Sequence, residues 1–144
     1  MVADDSERRL AGGCLCGAIR YEVAGPEFDA GYCHCSICRR ASGAPVIAWA
    51  NVEPGAFRVT RGTPTRYRSS SKGDREFCGA CGSQIFYVPT DPTWHLSFML
   101  ATLDNPTSIR PRLHIFIRDK LPWFEIADDL PRFHDEPLPH PSKR

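Results

Sequence analysis

A mainly β fold, made of several short antiparallel strands whose loops carry the cysteines, is what this 144-residue sequence predicts. Three observations carry that expectation. Short segments alternate apolar and polar residues with the two-residue period of a half-buried strand. Thirteen prolines and eleven glycines interrupt the chain too often for long helices. Only one segment offers both the start and the stop signal of a helix.

In chain order, residues 17–23 alternate apolar Ile19, Tyr21 and Val23 against Arg20 and Glu22. Ser36 is placed to cap a single helical turn through Ile37, Cys38, Arg39 and Arg40, which Gly43 then stops. Residues 46–50 form an apolar run after Pro45, as a buried strand would. Further strands are expected at 57–60, 65–68, 84–88, 95–100 and 113–117. Gly25-Pro26, Pro54-Gly55, Lys72-Gly73-Asp74 and Asp91-Pro92 supply turns between them. The folded domain is expected over 8–130. Residues 131–144 carry four prolines among charges and read as a surface-draped tail.

Composition narrows the class. Hydrophobic content of 42% with 24% charged residues places the chain among ordinary globular proteins, and its length suits one domain. The net charge of +1 gives no long-range pull toward nucleic acid or an acidic membrane. Arg58, Arg61, Arg66 and Arg68 gather locally and read as a solvated strand. Residues 1–10 lack the basic start and apolar stretch of a secretory signal, and no apolar run approaches the roughly 20 residues that span a bilayer. The expected compartment is the cytoplasm, where thiols stay reduced and clustered cysteines point to metal or redox chemistry.

Seven cysteines fall into three clusters: Cys14-Leu15-Cys16, Cys33-His34-Cys35-Ser36-Ile37-Cys38 and Cys78-Gly79-Ala80-Cys81. The first and third are framed by Gly12, Gly13 and Gly17 and by Gly79 and Gly82, which suits tight turns around a metal. Together they offer four thiolates, the number a closed tetrahedral zinc site requires. Ordinary buried thiols would not produce two glycine-framed pairs. A redox-active C-x-x-C normally opens a helix in an α/β context that this pattern lacks.

The middle cluster offers three thiolates. On an extended segment Cys33 and Cys35 face one side and His34 the other, and Cys38 returns from the helical turn to join the sulfurs. Three ligands leave one tetrahedral position open to water, substrate or inhibitor. Three thiolates around Zn²⁺ give a formal charge of −1, which weakens the metal toward water but leaves it a good host for sulfur. A small thiol is therefore the expected guest. Arg39 and Arg40 are placed to offset the charge or grip a carboxylate. His34, His95 and His114 read as structural hydrogen-bonding residues. The alternative function is a non-catalytic, zinc-stabilised binding module for a protein or nucleic-acid partner, with the balanced charge arguing against nucleic acid.

The motifs 13–21, 33–43 and 77–83, with 114–117 and 122–126 downstream, resemble the glutathione-dependent formaldehyde-activating enzyme family. The resemblance implies a fold like that of the Rab-associated zinc protein Mss-four, with a short helical turn after the middle cysteine motif. It implies two zinc ions: a structural one at Cys14, Cys16, Cys78 and Cys81 and a catalytic one at Cys33, Cys35 and Cys38. It also implies a carbon–sulfur lyase, with glutathione as the thiol partner and S-hydroxymethylglutathione as the adduct formed with formaldehyde.

Overall fold

The computed structural model describes residues 8–26 and 28–136. The architecture is mainly β. Among the described residues ten strands run in the order β1 (Arg8–Gly13), β2 (Arg20–Gly25), β3 (Ala30–Cys33), β4 (Ile47–Val52), β5 (Phe57–Arg61), β6 (Thr65–Ser70), β7 (Gly73–Phe77), β8 (Gln84–Pro89), β9 (Leu96–Met99) and β10 (His114–Ile115). One α-helix among the described residues, α1 (Ser36–Ser42), lies between β3 and β4. No helix among the described residues is long and apolar enough to cross a membrane.

The strands form a three-stranded sheet, β1-β2-β5, and a seven-stranded sheet, β10-β3-β4-β9-β8-β7-β6. All pairs are antiparallel except β10 with β3. The alternation at Ile19, Tyr21 and Val23 does what a strand pattern should: all three are buried, while Arg20 and Glu22 remain partly exposed. They meet Ile85, Phe86 and Phe98 of the larger sheet in one core. The Tyr21 ring lies edge-on to Phe86 at 5.1 Å, and its hydroxyl pairs with Thr102 Oγ1 at 2.7 Å, so the buried polar tip is satisfied. Phe98 is fully buried and packs against Tyr21 and Phe28. Phe98→Ala should therefore lower unfolding free energy by about 3–5 kcal/mol, read as an earlier midpoint in urea.

Three strands have no counterpart in the sequence-based expectation: β1, β3 and β7. Each contains glycine or charge where a strand signal would be sought. In β7, Asp74 and Glu76 are buried because β6 lays Arg68 and Arg66 across from them. Arg66 Nη2 donates to Glu76 at 2.7 Å, and Arg68 pairs with Asp74. Arg58 likewise pairs with Glu22 at 2.8 Å.

The helix begins one residue earlier than expected. Cys35 occupies the N-cap in place of Ser36, and its sulfur accepts from Cys38 N at 3.2 Å. At the other end Gly43 N donates to Arg39 O. Beyond β10, the Pro131 carbonyl accepts from His114 N and Phe133 N donates to the His114 carbonyl, so this stretch lies alongside the strand. The rest of the expected tail, 137–144, lies outside the described residues.

Candidate metal centre and its cavity

Two groups of cysteine side chains assemble. The sulfurs of Cys14, Cys16, Cys78 and Cys81 all lie within 4.8 Å of one another, and so do those of Cys33, Cys35 and Cys38. None of the seven is in a disulfide.

The four-sulfur group rests on two turns of matching construction. Gly17 N donates to the Cys14 carbonyl and Gly82 N to the Cys78 carbonyl, and both glycines sit at φ 79°, where a Cβ would be strained. Each turn thereby folds its second cysteine back over its first. Ser83 ties the turns together: its hydroxyl accepts from Leu15 N at 3.0 Å and lies 3.2 Å from Cys81 Sγ. Beside that hydroxyl and nearby backbone N–H groups the Cys81 thiol falls to about 5. Ile19 N donates to Cys14 Sγ at 3.2 Å. Sulfur separations of 3.7 Å (Cys14–Cys16) and 3.8 Å (Cys16–Cys78) match the about 3.8 Å edge of a tetrahedron with zinc–sulfur bonds of about 2.3 Å. Four soft donors at that spacing fit zinc.

The three-sulfur group is built differently. Cys33 ends β3, Cys35 caps α1, and Cys38 sits in the first turn, so a strand end and a helix start converge on one point. Cys33 and Cys38 sulfurs are 3.5 Å apart. Hydrogen bonding from Cys33 and Cys38, together with the Cys38 N–H and the charge of Arg75, pulls the Cys35 thiol down to about 2. The same sharing, with burial, pushes Cys33 up. The donor set again fits a soft divalent metal, with one ligand fewer than a tetrahedron needs.

His34 points away from the sulfurs. It is fully buried, and its Nε2 lies 2.9 Å from His114 Nδ1, whose Nε2 in turn donates to Asp128 at 3.0 Å. Burial holds the His34 imidazole down at about 4, in its neutral form. His95 Nε2 meets Glu53 at 2.7 Å.

The three sulfurs open on a cavity of about 590 Å³. Its walls mix apolar surface from Trp49, Tyr87, Trp94 and Phe133 with charged Lys72 and Arg112. The other four sulfurs line no part of it. Glu136 also lines it, and burial raises its carboxyl above the ordinary range.

One member of the site was not foreseen. Arg75, in the middle of β7, is only 6% exposed, lines the cavity and donates from Nη2 to Cys38 Sγ at 3.3 Å. Its guanidinium also lies 5.4 Å from the centre of the Tyr87 ring. Arg39 and Arg40, expected to offset the negative charge, lie in the last turn of α1, and no hydrogen bond joins either to a sulfur among the described residues. The overlooked signal was alternation. With Asp74 and Glu76 directed to the β6 arginines, Arg75 between them must face the other side.

Comparisons with known proteins point to one family. The family model described as glutathione-dependent formaldehyde-activating enzyme matches residues 9–119. A Halomonas elongata protein, assigned by its name to the glutathione-dependent formaldehyde-activating enzymes, is 31% identical over 128 residues, covering 81% of this chain and 80% of its own length. An uncharacterized lyase of Schizosaccharomyces pombe is 30% identical over 125 residues, covering 85% and 88%. A crystal structure of a Rhodobacter sphaeroides protein superposes with a TM-score of 0.56 at 30% identity, covering 72% of this chain and 93% of that one. With its cysteine groups assembled on a mainly β scaffold and the family model matched across most of its length, the chain belongs to the glutathione-dependent formaldehyde-activating enzyme family.

Proposed function

We propose that this protein is a zinc-dependent carbon–sulfur lyase acting on a small thiol adduct, and that its reaction joins glutathione and formaldehyde as S-hydroxymethylglutathione. The observation that carries the reading is the contrast between the two sulfur groups. Four sulfurs close on one another, whereas three line a cavity of about 590 Å³. Cys14, Cys16, Cys78 and Cys81 would hold a structural zinc, and Cys33, Cys35 and Cys38 a second one. Zinc bound at the triad supplies a soft electrophilic centre that favours an incoming sulfur in its thiolate form.

The chain's own residues do the rest. The triad leaves one of four tetrahedral positions without a protein ligand, and the cavity gives a guest access to it. That cavity greatly exceeds the size of formaldehyde, which supports a thiol of tripeptide size as the second substrate. Trp49, Tyr87 and Trp94 supply apolar wall against which such a guest can pack. In the forward direction the thiolate sulfur forms a bond to the carbonyl carbon. The carbonyl π pair moves to oxygen, and that oxygen takes up the proton the thiol has lost. Seven cysteines outside any disulfide suit a reducing compartment, and we place the protein in the cytoplasm.

The test is to mix glutathione and formaldehyde with zinc-loaded protein and follow adduct exchange by NMR. Acceleration over the uncatalysed exchange is expected. Absence of acceleration with glutathione and with several other thiols would count against catalysis on such adducts.

A further inference from the structure

Arg75 poses a charge problem that the rest of the fold leaves open. It is 6% exposed, and among the described residues no carboxylate pairs with it; the adjacent acids, Asp74 and Glu76, are engaged by Arg68 and Arg66 on the opposite face of β7. A buried guanidinium without a counter-charge is costly. Its contacts are Cys38 Sγ at 3.3 Å and the face of Tyr87. Its Nε is buried and has no hydrogen-bond partner. In arginine the Nε–H and one Nη2–H point the same way. The guanidinium thus keeps a buried, unclaimed donor beside the nitrogen that donates to the sulfur.

The triad has the complementary problem. Three thiolates around a divalent cation leave one surplus negative charge, and Cys33 and Cys38 are buried. A tetrad would carry two, but there Cys16 is exposed and Cys81 partly so, and water can screen the excess. We infer that Arg75 is the built-in counter-ion of the three-sulfur site: its guanidinium neutralises the metal-loaded triad and so determines how firmly that site keeps its metal. Arg75 is a positioning residue in this account, acting through Cys38 on the sulfur cluster. The inference rests on the triad holding a metal, as proposed above. It adds that the affinity depends on a charge supplied from a different strand, β7, 37 residues beyond Cys38 along the chain.

The experiment uses the full chain loaded with zinc, titrated with a chromogenic chelator, with Arg75→Lys, Arg75→Gln and Arg75→Met compared with wild type. The tetrad is an internal reference within each molecule, and near-ultraviolet circular dichroism reports folding. Arg75→Met should lose zinc from the triad at affinities on the order of 10–100-fold weaker, the scale of a lost charge-assisted hydrogen bond. Arg75→Gln, which keeps a donor but no charge, should behave like Met and serves if the Met variant does not fold. Arg75→Lys should recover most of the wild-type affinity, and the tetrad zinc should be unchanged in all three. Triad affinity within about twofold of wild type in folded Arg75→Gln would overturn the inference. So would equal weakening in Lys, Gln and Met, since that pattern marks lost packing against Tyr87 and not lost charge. If wild-type protein holds no zinc at the triad, the metal reading itself fails, and that outcome is distinct from either.

Discussion

Cys78→Ser is expected to collapse the fold, cutting soluble yield and lowering stability by on the order of 5 kcal/mol or more. Cys78 is 1% exposed and lies within the main core cluster, where it closes the four-sulfur group across 62 residues from Cys16. Besides the sulfurs, Ser83 links the two turns through the hydrogen bond its hydroxyl accepts from Leu15 N. Without a fourth soft donor the metal loses its closed shell, and a small β domain loses the clip between its amino-terminal hairpin and the β7–β8 corner. Far-ultraviolet circular dichroism against urea checks this, with zinc content measured on the same sample. A folded Cys78→Ser protein with native stability would mean that the tetrad contributes little to the scaffold.

Cys35→Ser should do the opposite: leave the fold intact, remove one zinc and abolish adduct formation. Cys35 is half-buried, and its structural duty is to cap α1 by accepting from Cys38 N. Serine is itself a favoured N-cap, so the helix start is preserved and the stability cost should stay within about 1 kcal/mol. A neutral hydroxyl is a poor replacement for a soft thiolate, however, and two remaining sulfurs do not make a firm zinc site. Metal analysis, thermal unfolding and the NMR exchange assay on one preparation check the three parts of this expectation. Unfolding by Cys35→Ser, together with a harmless Cys78→Ser, would reverse the assignment of the two groups.

The glycine-framed cysteine pairs and the middle cysteine cluster are each legible in the sequence because each is local, whereas the meeting of Cys14 and Cys16 with Cys78 and Cys81 across 62 residues was implied only by the family resemblance. Glycines at 17 and 82 mark the backward turns, and the C-x-C-x-x-C spacing places a strand end against a helix start. The β2 alternation was equally plain, since Ile19, Tyr21 and Val23 face one core and nothing competes with them. What stayed hidden depends on partners distant in sequence. Nothing in Gly73-Asp74-Arg75-Glu76 announces a strand until β6 supplies arginines for its acids and β8 pairs with its other edge. Gly31 in β3 looks like a breaker, yet a Cβ there would meet Leu113 and Trp49 at about 3 Å, because β10 and β4 pack closely on both sides. Arg75 shared that fate. It reaches Cys38 only because the sheet brings β7 to the three-sulfur site, whereas Arg39 and Arg40, adjacent in sequence to Cys38, make no hydrogen bond to a sulfur among the described residues.

The division of seven sulfurs into a sealed set and an accessible set can be tested by replacing zinc with cobalt(II) and adding glutathione while recording the sulfur-to-cobalt charge-transfer absorption. Entry of a fourth sulfur at the triad should intensify that absorption saturably in wild type, and the same addition should leave Cys35→Ser unchanged. Wild-type absorption that does not respond to saturating thiol, in protein carrying two cobalt ions per chain, would show both centres closed and contradict the account.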